Sequence, residues 1–265
     1  MPKIFALGDT HLGFGVGKTM DRFGAEWIEH PRTIRERTVA TVGADDILLI
    51  PGDLSWATKR HQAEPDLAYL ADLPGVKIAI KGNHDYWWES DKPIGYPGLL
   101  SPPVVVSGQW SVDSGERARV ATGGQVALPT IHYPLTTHPT TAHYPLPTDS
   151  IGFAGTRGWN LPQPDVETYA ADKKTFERER RRLQKSLDAI AHCRVNIALL
   201  HYPPQPFLDI LSGAGVSICV YGHVHVNSLP DDEKLAVFGE TLSGVTCYCV
   251  ACDRIDFTPV EVFSF

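Results

Sequence analysis

The chain has 265 residues, 24 Lys and Arg against 31 Asp and Glu, and a formal net charge of −7. Its 43% apolar share is enough for a core and argues against disorder, and the acidic balance argues against a non-specific nucleic-acid binder while still admitting a nucleotide at a locally positive site. Five cysteines, three of them close together at Cys247, Cys249 and Cys252, do not suggest a disulfide framework.

The first apolar run is too short for a signal-peptide core, and no run approaches the ~20 apolar residues of a membrane span, so a cytoplasmic location away from membranes is expected. In chain order, short apolar runs at 3–7, 47–50, 76–80, 195–200 and 216–221 read as buried strands. Between them, residues 32–42, 63–73 (Leu67, Leu70, Leu73) and 168–192 (Phe176, Leu183, Leu187, Ile190) carry helical periodicity. This alternation predicts an α/β fold. Residues 244–265 read as terminal strands. Residues 101–155 are rich in Pro, Thr and Gly and show no helix, and within them His132-Tyr133-Pro134-Leu135 recurs as His143-Tyr144-Pro145-Leu146. This segment reads as an extended, insertion-like embellishment on one domain spanning 1–265, with 104–106 and 120–127 as candidate extra strands. The basic cluster in 168–192 (Lys173, Lys174, Arg178, Arg180, Arg181, Arg182, Lys185) reads as a solvated, ion-paired helix face, with a polyanion contact as the alternative. Gly13-Phe14-Gly15-Val16-Gly17-Lys18-Thr19 mimics a phosphate-binding loop, but the motif requires a glycine where Leu12 stands, so a flexible loop is expected.

Each strand-like run ends in groups that carry chemistry. Asp9 and His11 follow the first, Asp53 the second, Asn83 and His84 the third, His201 the fourth, and His223 and His225 the fifth. A spacing of two keeps both members of a pair on one side of an extended chain. In α/β sheets, ligands bind outside the carboxyl ends of the strands. Carboxylate, imidazole and amide oxygen suit Mn, Fe, Zn or Mg rather than a thiolate-selective metal. Even with His84 set aside, the seven remaining donors exceed what one catalytic ion uses and fit two ions about 3.5–4 Å apart.

Asp9-x-His11, Gly52-Asp53, Gly82-Asn83-His84-Asp85, His201 and Gly222-His223-x-His225 resemble, in type and order, the motifs of the calcineurin-like metallophosphoesterases. The resemblance spans residues 3–225. Longer stretches, among them Gly52-Asp53-Leu54-Ser55-Trp56-Ala57, Gly155-Thr156-Arg157-Gly158-Trp159 and His201-Tyr202-Pro203-Pro204, resemble a bacterial branch of phosphohydrolases. The resemblance implies a central β-sandwich flanked by helices. It implies one metal site of Asp9, His11 and His225, a second of Asn83, His201 and His223, Asp53 bridging them, and His84 facing the leaving group. His201 is taken over His132 and His143, which also begin His-Tyr-Pro, because a clean apolar strand precedes it. The cofactors expected are two divalent ions, manganese first, with Fe, Zn or Mg as alternatives.

The expected chemistry is in-line attack of a metal-bridging hydroxide on a phosphoester, with His84 as proton donor. Asp85 either orients His84 or holds the local turn. Weaker candidates for substrate contact are Lys81, Arg157 and Trp87 (beside Trp88), each with a structural role as the alternative. The phosphoprotein-phosphatase block Gly-Asp-x-x-Asp-Arg-Gly is absent and Gly-Asn-His-Glu is here Gly-Asn-His-Asp. Both departures favour a small or nucleotide-like phosphodiester over a phosphomonoester or phosphoprotein. The rival of another class is a non-catalytic binding module retaining the fold. Cys247-x-Cys249-x-x-Cys252 lacks a fourth thiol for zinc and reads as buried small residues.

Overall fold

The computed structural model describes residues 2–89, 92–107, 130–132, 150–227 and 235–264. In chain order these form β1 (Lys3–Ala6), α1 (His30–Thr41), β2 (Ile47–Ile50), α2 (Arg60–Ala71), β3 (Val76–Ala79), β4 (Leu99–Leu100), β5 (Val104–Ser107), β6 (Thr130–His132), β7 (Ile151–Thr156), α3 (Tyr169–Ile190), β8 (Val195–Leu200), α4 (Leu208–Gly213), β9 (Val216–Tyr221), β10 (Phe238–Leu242), β11 (Val245–Cys249) and β12 (Val260–Ser264). One sheet has the order β12-β1-β2-β3-β4, the other β10-β11-β9-β8-β7-β5-β6. Strands β1, β2 and β3 run parallel, as do β7, β8, β9 and β11.

Side-chain alternation along the strands builds the layers. Ile4, Ala6, Ile47, Leu49 and Ile78 of the first sheet meet Phe153, Ile197, Leu199, Ile218 and Val220 of the second in one core between the sheets. The intervening residues face outward onto helices. Phe5, Leu48 and Ile50 pack with Ile34 of α1 and Leu67 and Leu70 of α2. Ala154, Ala198 and Leu200 pack with Leu183, Leu187 and Ile190 of α3 and Leu211 of α4. Each fully buried aliphatic side chain in such a stripe stabilises the fold by about 1.5–3 kcal/mol. The result is the expected sandwich with helices on both outer faces.

The segment 101–155 is not peripheral throughout. It contains β5, β6 and all but the last residue of β7, and β7 lies inside the second sheet, between β8 and β5. Its glycines disguised it. A Cβ at Gly152 would meet Ile190 Cβ at 2.6 Å, so α3 packs directly on the strand backbone. His132, expected in a loop, ends β6, the edge strand. His143 and residues 120–127 lie outside the described residues. The Gly-rich stretch after β1 is a turn rather than a flexible loop, held to α2 by Phe14 N–H donating to Asp66 Oδ1 at 2.8 Å. The basic face of α3 pairs Arg180 with Asp209 of α4 at 2.5 Å and Arg182 with Glu179 at 2.6 Å. All five cysteines are buried and free. Among the described residues no helix is long and apolar enough to cross a membrane.

Candidate metal centre

The carboxyl ends of β1, β2, β3, β8 and β9 converge on one edge of the sandwich, where the two sheets also join. Gly8, just past β1, bridges in parallel to Ala251, just past β11. Gly8 N–H donates to Val250 O at 2.7 Å and Cys252 N–H to Gly8 O at 3.1 Å. This seam brings Asp9 and His11 of one sheet against His223 and His225 of the other.

The turns that carry these groups are strained. Asp9, His11, Asp53 and His223 all have positive φ, at 56°, 43°, 51° and 69°. Such conformations cost about 1–3 kcal/mol each in non-glycine residues and persist where the surrounding structure over-determines them. Here the hydrogen bonds do so. Asp9 N–H donates to Gly52 O at 3.0 Å and His11 N–H to Asp53 O at 2.9 Å. His223 N–H donates to Asp9 Oδ1 at 3.0 Å. Gly222 makes room for that contact, since a Cβ there would lie 2.0 Å from Asp9 Oδ2.

Two ligand-like clusters result. Asp9, His11 and His225 bring one ligand atom each within 4.8 Å of one another, as do Asp9, Asp53 and His201. Asp53 Oδ2 stands 3.7 Å from His11 Nε2 and 3.5 Å from His201 Nε2, so it lies between the clusters. Asn83 Oδ1 lies 2.6 Å from His201 Nε2 and 3.0 Å from His223 Nδ1. The seven strand-end residues are therefore gathered at one place.

The electrostatics tests whether a cation suits this place. Burial pushes His201 down to about 3, so its ring is neutral. Its Nδ1 lies 3.0 Å from Pro51 O, which only accepts, so the ring proton is on Nδ1 and Nε2 carries a lone pair. That lone pair faces the Asn83 oxygen and the Asp53 carboxylate. Acceptors facing acceptors at this range repel unless a cation lies among them. Burial also takes His223 down to about 3 and His11 well below the ordinary histidine value. It raises the Asp9 carboxyl strongly, and the Asp53 carboxyl as well. For His225 burial opposes charge, but the hydrogen bond to Asp253 and the charges of Asp9, Asp253 and Asp53 carry it up to about 9. The donor set of carboxylate, amide oxygen and imidazole, neutral at His11, His201 and His223, fits hard or borderline divalent ions, and an ion held by His225 would displace its Nε2 proton.

His84 sits beside the centre. Its backbone N–H donates to Asp53 Oδ1 at 2.8 Å, and its ring lies 4.4 Å from Trp56 and 5.6 Å from His11, centroid to centroid. Of the two alternatives for Asp85, the structure has it holding the turn. Its Oδ1 accepts from Leu54 N–H and Ser55 N–H at 2.9 and 3.1 Å, and its Oδ2 from Gly82 N–H at 2.8 Å. Arg157 carries a buried Nε without a partner among the described residues, beside His201 and Tyr202. Lys81 donates to Trp88 O and is half-buried.

Trp87 does not stand where a substrate would stack. It is buried, packs on Trp88 at 5.5 Å, and donates Nε1–H to Asp85 at 3.2 Å. Aromatic residues that do stand beside the centre include Trp56 and Trp27. Asp253 was also missed. It accepts from His225 Nδ1 at 3.0 Å and from Val226 N–H at 2.9 Å, while Arg254 Nη2 donates to His225 O at 2.8 Å. The signal was present, because Asp253 follows a strand as the other acidic groups do, but the neighbouring cysteines drew the reading.

A family model described as calcineurin-like phosphoesterase matches residues 2–227. The gene 66 protein of Mycobacterium phage L5 is 31% identical over 85 residues, 32% of this chain. The match covers 41% of that protein's own length. Two solved structures resemble the whole chain at low identity. A protein of unknown function from Aquifex aeolicus has a TM-score of 0.44 at 13% identity, covering 98% of this chain and 96% of that one. A phosphopantetheinyl hydrolase from Mycobacterium tuberculosis has a TM-score of 0.48 at 14% identity, covering 94% and 89%.

Proposed function

The chain belongs to the calcineurin-like phosphoesterase family, and on that premise we propose that it is a metal-dependent phosphoester hydrolase acting on phosphodiesters of small or nucleotide-like molecules. The observation that carries the reading is the Nε2 lone pair of His201, fixed by its Nδ1–H donating to Pro51 O, which faces the Asn83 oxygen and the Asp53 carboxylate where Asp9, His11, His223 and His225 also gather. Asp9, His11 and His225 would hold one divalent ion, manganese first among the candidates. Asn83, His201 and His223 would hold a second, and Asp53 would contact both. When bound, such ions supply Lewis-acid polarisation of phosphoryl oxygens and a water acidic enough to attack near neutral pH.

The rest is the work of the chain. Arg157, with its unpartnered Nε, binds a phosphoryl oxygen beside His201. His84 donates a proton to the departing oxygen as the P–O bond breaks. Burial, then Lys18 and His225, hold His84 below the ordinary histidine value, while Asp53 and the anionic substrate act in the opposite direction. Asp253 positions His225 by fixing Nδ1 as the donor, leaving Nε2 toward Asp9, 3.8 Å from its Oδ1.

The test is hydrolysis of bis-p-nitrophenyl phosphate and p-nitrophenyl phosphate with Mn²⁺, alongside metal content. The diester should be preferred, and His201→Ala should lose metal and turnover while His132→Ala keeps both. A clear monoester preference reverses the diester reading. Absence of metal from the wild-type protein after chelator-free purification and supplementation would return it to a non-catalytic binding module. Asp253→Ala should weaken metal affinity by about 10–100-fold without unfolding the chain. Unchanged affinity in a calorimetric titration would remove Asp253 from this role.

A further inference from the structure

The surroundings of the centre are asymmetric. On the side of His201 and His223 stand cations and a phenol, namely Arg157, Lys81 and Tyr202, whose ring lies 4.2 Å from His223. On the side of His11, His84 and His225 there is a cavity of about 240 Å³ whose remaining walls are chiefly Met20, Phe23, Trp27 and Trp56, with the Lys18 cation placed over the Trp56 ring. The segment between β1 and α1 supplies three of those four residues. It folds as short 3-10 turns, Asp21–Phe23 and Ala25–Trp27 among them.

Met20 and Trp27 reach this wall from the buried core. Phe23, by contrast, is 40% exposed. A cavity walled by aromatic and thioether side chains, with the Phe23 ring open to it, next to a reactive centre marks a place for an apolar ligand. Several polar groups on the wall are already engaged by the protein. Asn227 Nδ2 donates to Phe23 O at 2.8 Å, Trp56 Nε1 donates to Met20 Sδ at 3.0 Å, and the Asp253 carboxylate accepts from His225 and Val226. These bonds use the Trp56 indole N–H, the Asn227 Nδ2 and part of the Asp253 carboxylate, so the wall keeps less hydrogen-bonding capacity for the edge of a nucleobase. Trp56 is stiffened in place by the His11 ring stacked at 4.8 Å and by Lys18 Nζ at 3.3 Å from its ring centroid.

We infer that this cavity receives an apolar, ring-sized group on the alcohol side of the substrate, so that the substrate is a phosphoester of an apolar cyclic or aromatic alcohol. The inference rests on the proposed phosphoesterase reading, since it is His84, on the cavity wall, that faces the departing oxygen. The phosphoryl group then lies toward Arg157, and the organic group fills the opposite side.

The test compares benzylphosphonate with methylphosphonate, which differ by the ring and are not hydrolysed. Each is titrated calorimetrically into Mn²⁺-loaded protein and used as an inhibitor of bis-p-nitrophenyl phosphate hydrolysis. Benzylphosphonate should bind at least about tenfold more tightly, the scale of burying one apolar side chain. Phe23→Ala, at a half-open position that folding does not need, should bring the ratio close to one, and Trp56→Leu should do the same. A wild-type ratio near one, or a ratio that Phe23→Ala leaves intact, overturns the inference. So does adenosine 5′-monophosphate binding about tenfold more tightly than benzylphosphonate, which would make the cavity a base pocket. The two readings fail separately. Hydrolysis without a ring preference removes only the cavity assignment. A ring preference by calorimetry with no phosphoester turned over removes only the hydrolase.

Discussion

Asp53→Asn should abolish activity, by about a thousandfold or more, and leave the protein unable to hold two ions. Asn tolerates the left-handed backbone that Asp53 adopts at φ 51°, and its amide oxygen still accepts from His84 N–H, so the turn survives. What disappears is the charge at Oδ2, the atom within 3.7 Å of His11 Nε2 and 3.5 Å of His201 Nε2. The same substitution should raise the thermal stability of the metal-free protein. Asp53 and Asp9 are both buried and each opposes ionisation of its neighbour: Asp53 is among the groups that raise the Asp9 carboxyl. Removing one charge relieves that repulsion, as expected where a site stores strain for its ligand. The paired measurement is metal stoichiometry and the melting temperature with and without Mn²⁺. An Asn variant with two ions and wild-type turnover would exclude Asp53 as the shared ligand.

His84→Ala should retain both ions, because its side chain belongs to neither cluster and its contact with Asp53 is through the backbone. Turnover should fall by about 10²–10⁴-fold on diesters with alkyl leaving groups, whose departing oxygen needs a proton. On bis-p-nitrophenyl phosphate, whose leaving group departs as a stable anion, the loss should be much smaller. An equal loss on both substrates would mean that His84 stabilises the phosphoryl group rather than the leaving oxygen. Full activity on the alkyl ester would exclude any proton-donor role.

Much of this arrangement was legible in the order of residues. Buried strands 47–50, 195–200 and 216–221 were read at the bounds the structure gives them, because β-branched and aliphatic runs flanked by Gly, Pro and His leave little choice of element. Strand β7 was not legible, because Gly152 and Gly155 are there to let α3 and β8 approach, and glycine in a Pro- and Thr-rich context reads as loop. Trp87 and Trp56 show the same limit. Both follow a strand-end motif, yet Trp87 turns into the core below the first sheet and Trp56 turns toward His84. Nothing in local sequence separates the two.

The sequence by itself determined the kinds of donor, their number, and the strand ends that carry them, because each depends on residue type and local periodicity. Only the tertiary structure decided which atoms those donors present. The Nε2 lone pair of His201 exists because Nδ1 donates to Pro51 O, 150 residues away. The orientation of His225 comes from Asp253 across 28 residues, and the seam at Gly8 and Ala251 brings Asp9 under His223. Hydrogen-bond direction is a property of two groups in space, and no single stretch of chain contains both.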